Sequence, residues 1–189
     1  MGFEDRAMND QYDELLNLAR SVFSIGDDWE TTSEALVQLR KDAESNADAR
    51  EELLKLIYHE NGSVRILAAE ALARVHTAAE HAIPVLCAVL DVHREQGYPP
   101  ERENWARLAL GALGHYGDEA LIAEKVVWPY LHCQNNLNLR MYAAQVVINV
   151  AIRSNASWTI MSLLCDHQDS TLRAFARESV HEKYNKKET

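Results

Sequence analysis

The chain has 189 residues, with 19 Lys and Arg against 29 Asp and Glu, seven Gly and four Pro. A net charge of −10 opposes a phosphate backbone instead of neutralising it, which makes nucleic acid an unlikely partner; a composition led by Ala, Leu, Glu and Arg leaves little room for strands. No run reaches the roughly 18 apolar residues of a membrane span, and Met1–Arg6 has neither a basic nor an apolar leader region, so the expectation is a cytoplasmic protein with no membrane partner.

The charge is uneven. Residues 1–60 hold fifteen acidic and six basic side chains, so nearly all of the negative field belongs to the amino-terminal third. Such a field solvates the chain or steers a basic partner toward it. Cys87, Cys133 and Cys165 are odd in number and lie within apolar helical patterns, which marks them as small buried hydrophobes, not a disulfide framework.

Apolar residues recur with a helical period in about ten stretches, each bounded by Gly, Pro, Asn, Ser or Asp. Residues 11–24 form the first helix, stopped by Gly26-Asp27-Asp28, and Thr31 with Glu34 has the spacing of a capping box opening the second. Later helices repeat one another. Val64-Arg65-Ile66-Leu67-Ala68-Ala69 is echoed by Leu139-Arg140-Met141-Tyr142-Ala143-Ala144 and by Leu172-Arg173-Ala174-Phe175-Ala176-Arg177, with a degraded copy at Trp105-Ala106-Arg107-Leu108-Ala109. The intervals are 41, 34 and 33 residues, the period of stacked helix pairs. Glu95–Pro100 is a longer insert; its paired prolines cannot continue a helix, so it leaves the surface as a spacer or as a loop presenting Tyr98.

On these residues the chain resembles the HEAT family, and within it the short HEAT-like repeats of the phycobilisome lyase type. Asn61-Gly62-Ser63-Val64-Arg65 looks like the family's turn into a second helix. Ala82-Ile83-Pro84-Val85-Leu86, and one unit later Val127-Trp128-Pro129-Tyr130-Leu131, look like the start of a first helix. Tetratricopeptide and ankyrin arrays share the period, but their Trp-Leu-Gly-Tyr and Thr-Pro-Leu-His signatures are missing. The resemblance implies an all-α fold, an α-α superhelix: a right-handed α-solenoid of about five antiparallel helix pairs. It forms a single domain over 1–189, with recognisable repeats at 48–184 and a diverged capping pair at 9–45.

A search for chemistry returns little. The eight histidines include no HExxH, there is no Cys-x-x-Cys, and His132 and Cys133, being adjacent, point to different faces. Asp27, Asp28 and Glu30 lack the spacing of a calcium loop and read as helix capping. Gly111 and Gly114 precede no Gly-Lys-Ser/Thr, so they read as helix packing and a helix stop. With no nucleophile-base pairing either, the expectation is a protein without catalytic residues, metal or cofactor.

The repeat register assigns Trp105, Tyr142 and Phe175 to core filling. It makes Arg65, Arg140 and Arg173 a ladder bonding carbonyls or acids of the neighbouring unit. What remains is the exposed face of the second helices, which in the HEAT family lines the concave side: Glu70, Arg74, Arg107, His115, Gln145, Asn149, Arg177 and Glu178. Its mixed charges suit protein recognition. The leading expectation is a non-catalytic scaffold or adaptor binding a partner protein there, for instance an inhibitor or immunity-type protein for a basic partner. A tetrapyrrole (bilin) lyase or chaperone, and a nucleic-acid-binding protein, are the alternatives.

Overall fold

The computed structural model describes residues 37–97, 102–133, 136–153 and 164–185, and these are all-helical, with no strand among them. A helical stretch at 37–43 leads into α1 (Ala47–Leu56), α2 (Gly62–Arg74), α3 (Ala79–Glu95) and α4 (Glu103–Tyr116). An irregular segment follows: a 3-10 helix (Gly117–Ala123), the single turn α5 (Glu124–Val127) and a second 3-10 helix (Trp128–His132). Two long helices, α6 (Leu137–Arg153) and α7 (Ser170–Asn185), complete the described chain. The expected helix at 11–24, the Thr31–Glu34 capping box, the Asp27–Glu30 turn and the Tyr98–Pro100 loop lie outside the described residues.

Short polar side chains set the starts of four helices. Asn46 Oδ1 accepts from the Asp48 N–H (2.9 Å), Asn61 Oδ1 from Val64 (3.2 Å), Asn136 Oδ1 from Leu139 (3.0 Å), and Asp169 Oδ1 from Thr171 (2.8 Å) and Leu172 (3.2 Å). Each satisfies a backbone donor with no partner inside its helix, a gain of about 1 kcal/mol per cap.

Two of these turns share a lock that periodicity alone does not reveal. In His59-Glu60-Asn61-Gly62-Ser63-Val64-Arg65 and His167-Gln168-Asp169-Ser170-Thr171-Leu172-Arg173, the His Nδ1 accepts the N–H two residues on, at 3.0 and 3.1 Å. The Arg six residues on donates Nη1 back to the His carbonyl, at 2.6 and 2.8 Å. Arg65 also reaches the Glu60 carbonyl at 2.8 Å. This corrects the expected ladder, because Arg65 and Arg173 close the turn of their own helix pair. Arg140 bonds forward, to Asp169 Oδ2 at 2.5 Å. The Asp169 carboxyl sits below its usual range, chiefly through the Leu172 and Thr171 N–H groups and then through Arg140.

Helix α2 packs on α1, α3 and α4, and α4 on α3 and α6; α6 packs on the irregular segment and α7. Two rows result, α2-α4-α6 in one and α3 with the irregular segment in the other. Alanines at the contacts (Ala68, Ala69, Ala106, Ala109, Ala143, Ala144) are fully buried and let the helix axes approach. Between the rows lie Leu72, Leu86, Leu90, Leu110, Leu113 and Leu131, none more than 1% exposed. Two buried tyrosines tie one pair to the next. Tyr116 donates its hydroxyl to the Thr77 carbonyl (2.9 Å), holding a turn in which His76 and Ala78 take the left-handed φ values of 50° and 54°. Tyr130 donates to the Leu90 carbonyl (2.7 Å), so its oxygen accepts from His93 Nδ1 (3.0 Å), whose ring stacks on it.

Val127-Trp128-Pro129-Tyr130-Leu131 does not open a first helix as expected; it closes the irregular segment, whereas Ala82–Leu86 does lie in the first turns of α3. Gly117, at φ 61°, turns the chain and the 3-10 helix takes up the intervening length; α5 then stops just before Pro129, which has no N–H to extend it. The helix stop assigned to Gly114 falls instead at Gly117, since α4 continues to Tyr116. Cys87 and Cys133 are buried and Cys165 is half-buried. Burial, with Asp91 nearby, pushes the Cys87 thiol up to about 12, so it stays protonated and unreactive near neutral pH.

Candidate binding cleft

Three successive helices of one row each place a pair of residues four apart on the same side: Glu70 and Arg74 from α2, Gly111 and His115 from α4, Gln145 and Asn149 from α6. Four residues span a little more than one helical turn, so each pair stacks along its helix axis. The middle pair lacks a side chain at Gly111. The result is a cleft of about 280 Å³ whose walls also include Arg107, Leu108 and Tyr142.

The polar groups are organised. Glu70 is only 8% exposed and Oε1 accepts from Arg74 Nε, so the carboxylate is neutralised where water reaches it least. Asn149 Nδ2 donates to the Gly114 carbonyl (2.8 Å), and its Oδ1 accepts from Gln145 Nε2 (2.8 Å). Because a carbonyl only accepts, this chain fixes both amides and leaves Gln145 Oε1 as its terminal acceptor. The Arg107 guanidinium lies 5.9 Å from the centre of the Tyr142 ring, within cation–π range. His115, edge-on to His76 with ring centres 6.1 Å apart, has its pKa lowered by partial burial first, then by Arg74 and His76, against an opposing pull from Glu70. The imidazole is therefore neutral near pH 7.

Of the eight residues expected on one exposed ridge, six line this cleft: Glu70, Arg74, Arg107, His115, Gln145 and Asn149. Glu70 departs from the expectation of a solvent-facing side chain, since its ion pair with Arg74 draws it into the wall. Arg177 and Glu178 stand apart on α7, both exposed; Arg177 is used locally, donating Nε to the Cys165 carbonyl (3.1 Å) and lying 3.7 Å from Asp166. Tyr142 departs from pure core filling. Its repeat partners Leu67 and Leu108 are likewise only half-buried, and its ring faces Gly111, where an added Cβ would meet it at 3.9 Å. The register held a signal for this opening. Gly111 occupies the repeat position of Glu70, Gln145 and Glu178, so a polar row running through the second helices is interrupted once, between Glu70 and Gln145.

Among the described residues no group of three or more His, Cys, Asp or Glu could hold a metal ion, and no helix is long and apolar enough to cross a membrane. No family model, curated protein or solved structure matches the chain.

Proposed function

We propose that this chain is a HEAT-like, right-handed α-solenoid of about five antiparallel helix pairs that works without catalysis, docking a partner protein on the face formed by α2, α4 and α6. The observation that carries this reading is the cleft. Three helices from consecutive repeats contribute equivalent positions to one concavity, which is how stacked repeats build a shared recognition surface from short elements. Glu70, Arg74, Gln145 and Asn149 are donors and acceptors in fixed hydrogen bonds, and no nucleophile there is paired with a base. A volume of about 280 Å³ lies at the lower edge of the roughly 300–1,000 Å³ of pockets that bury drug-sized ligands. It suits one inserted side chain better than a tetrapyrrole. The overall charge of −10 supports a partner with a basic surface, steered from a distance, and argues against nucleic acid.

The test is capture from native extract followed by reconstitution with the purified candidate. The wild type is compared with a variant carrying Arg74→Glu, Arg107→Glu and Asn149→Ala, with circular dichroism confirming that both are folded. The expected outcome is a partner bound by the wild type and lost by the variant. Equal binding by both would remove the cleft from the interface.

A further inference from the structure

Resting on the docking reading above, we infer that the cleft is a socket for one carboxylate, the side chain of a Glu or Asp on the partner. The argument begins with charge. Arg74 and Arg107 contribute two positive charges and Glu70 one negative, while His115 is neutral, so the cleft carries a net +1 within a chain of net −10. Its sign is thus opposite to that of the molecule around it. A basic side chain brought close would meet Arg74 and Arg107 before the only carboxylate, and that carboxylate is already bonded by Arg74.

The donors are arranged for a small planar anion. Arg74 uses Nε on Glu70, which fixes the plane of the guanidinium and leaves its terminal nitrogens for the cleft. Arg107 is exposed, and among the described residues it rests on the Tyr142 ring and bonds to no acceptor. An arginine seated on an aromatic face keeps its planar fork of donors pre-set, the geometry that pairs with a carboxylate through two parallel hydrogen bonds. Leu108, and Gly111 with no side chain of its own, leave the cleft wall apolar where the methylene stem would lie. Glu70 decides between anions: one net positive charge beside a fixed carboxylate favours a monoanion over a phosphate dianion.

The long-range field and the socket therefore select different features of one partner. The acidic surface attracts a basic protein, and the cleft accepts the single acidic residue that sets its register.

The experiment is a titration of the full-length protein followed by NMR, reading the His115 Cε1–H and the Arg Nε–H resonances. The probes are N-acetyl-glutamate N-methylamide, its glutamine and lysine counterparts, glutarate and inorganic phosphate. We expect saturable shifts with the glutamate probe at a Kd on the order of 1–10 mM, as suits a fragment of this size. We also expect at least tenfold weaker binding of the glutamine and lysine probes and a raised His115 pKa in the complex. Arg107→Gln should abolish the shifts. Arg107→Lys, which keeps the charge and loses the fork, should weaken them severalfold, with thermal melts verifying the fold of both variants. Tighter binding of the lysine or glutamine probe, or binding unchanged in Arg107→Gln, overturns the inference, as does the absence of a saturable shift with the glutamate probe. Phosphate binding tenfold tighter than the glutamate probe overturns the carboxylate assignment, and tenfold tighter glutarate overturns the partner side chain as its source. The outcomes are separable from those of partner capture: a captured partner with no carboxylate binding leaves the docking reading standing, and carboxylate binding with no cleft-dependent partner removes that reading alone.

Discussion

The two rows of helices hold the same kinds of polar residue to opposite ends. On the side of α3 and the irregular segment, His93 is 1% exposed and Tyr130 fully buried; the Tyr130 hydroxyl gives its hydrogen to Leu90 and takes one from His93, spending its capacity inside the fold. On the side of α2, α4 and α6, His115 and Tyr142 are half-buried, and the arginines beside them keep donors directed at a cleft. Burial makes a polar network structural when its groups bond one another inside the fold, and leaves it a recognition element when the groups are fixed yet open to water.

Breaking the closed side should cost the most stability. Leu110→Ala removes a fully buried side chain between the rows and should destabilise by about 2–5 kcal/mol, read from chemical denaturation. Tyr130→Phe removes the hydroxyl that bonds the Leu90 carbonyl and His93 Nδ1; a loss of about 1–3 kcal/mol is expected. Asn61→Ala removes the cap of α2 and should cost about 1 kcal/mol; His59 and Arg65, which lock the same turn, make it a sensitive place to measure that loss. On the open side Arg107→Gln should change stability by no more than about 0.5 kcal/mol, because the residue is exposed and, among the described residues, hydrogen-bonds no acceptor and meets only the Tyr142 ring. A large loss there would erase the distinction between the two networks.

Acid sharpens the same comparison. The His115 pKa lies below 6.5 in the folded chain, so the unfolded chain binds the proton more readily, and this group's contribution is complete above the unfolded value. It is lost as pH falls through 6.5 toward the folded pKa. Arg74→Gln removes one of the lowering causes and the partner of Glu70; the His115 pKa, followed by NMR, should rise toward its ordinary value. Asp169 behaves in the same sense at lower pH: its carboxyl is held down by the α7 N–H groups, so its contribution is present above 3.8 and fades as pH falls through the folded value.

Much of this was legible before any coordinates. The helical stretches bounded by Asn, Asp, Ser, Gly and Pro follow from local rules, because capping, propensity and period act within a few residues, and the place of Ala82–Leu86 in the first turns of α3 was implied by the family resemblance. The Glu70, Arg74, Gln145 and Asn149 positions follow from the same register. Local rules failed where two distant segments compete for one role. Arg65 and Arg173 share a pattern with Arg140, yet whether such an arginine closes its own turn or reaches the next depends on what stands beside it: His59 and His167 supply the lock, while Asp169 draws Arg140 forward.

By itself the sequence determined the helices, their order and the face on which polar residues recur, since each is written in spacings shorter than two helical turns. Only the tertiary structure decided that the row opens into a cleft at Gly111, that Glu70 is buried together with its bond to Arg74, and that Tyr142 forms a wall beneath Arg107. Those outcomes depend on how closely α4 approaches α6 and on the local desolvation of opposing charges, quantities set between helices and not within them.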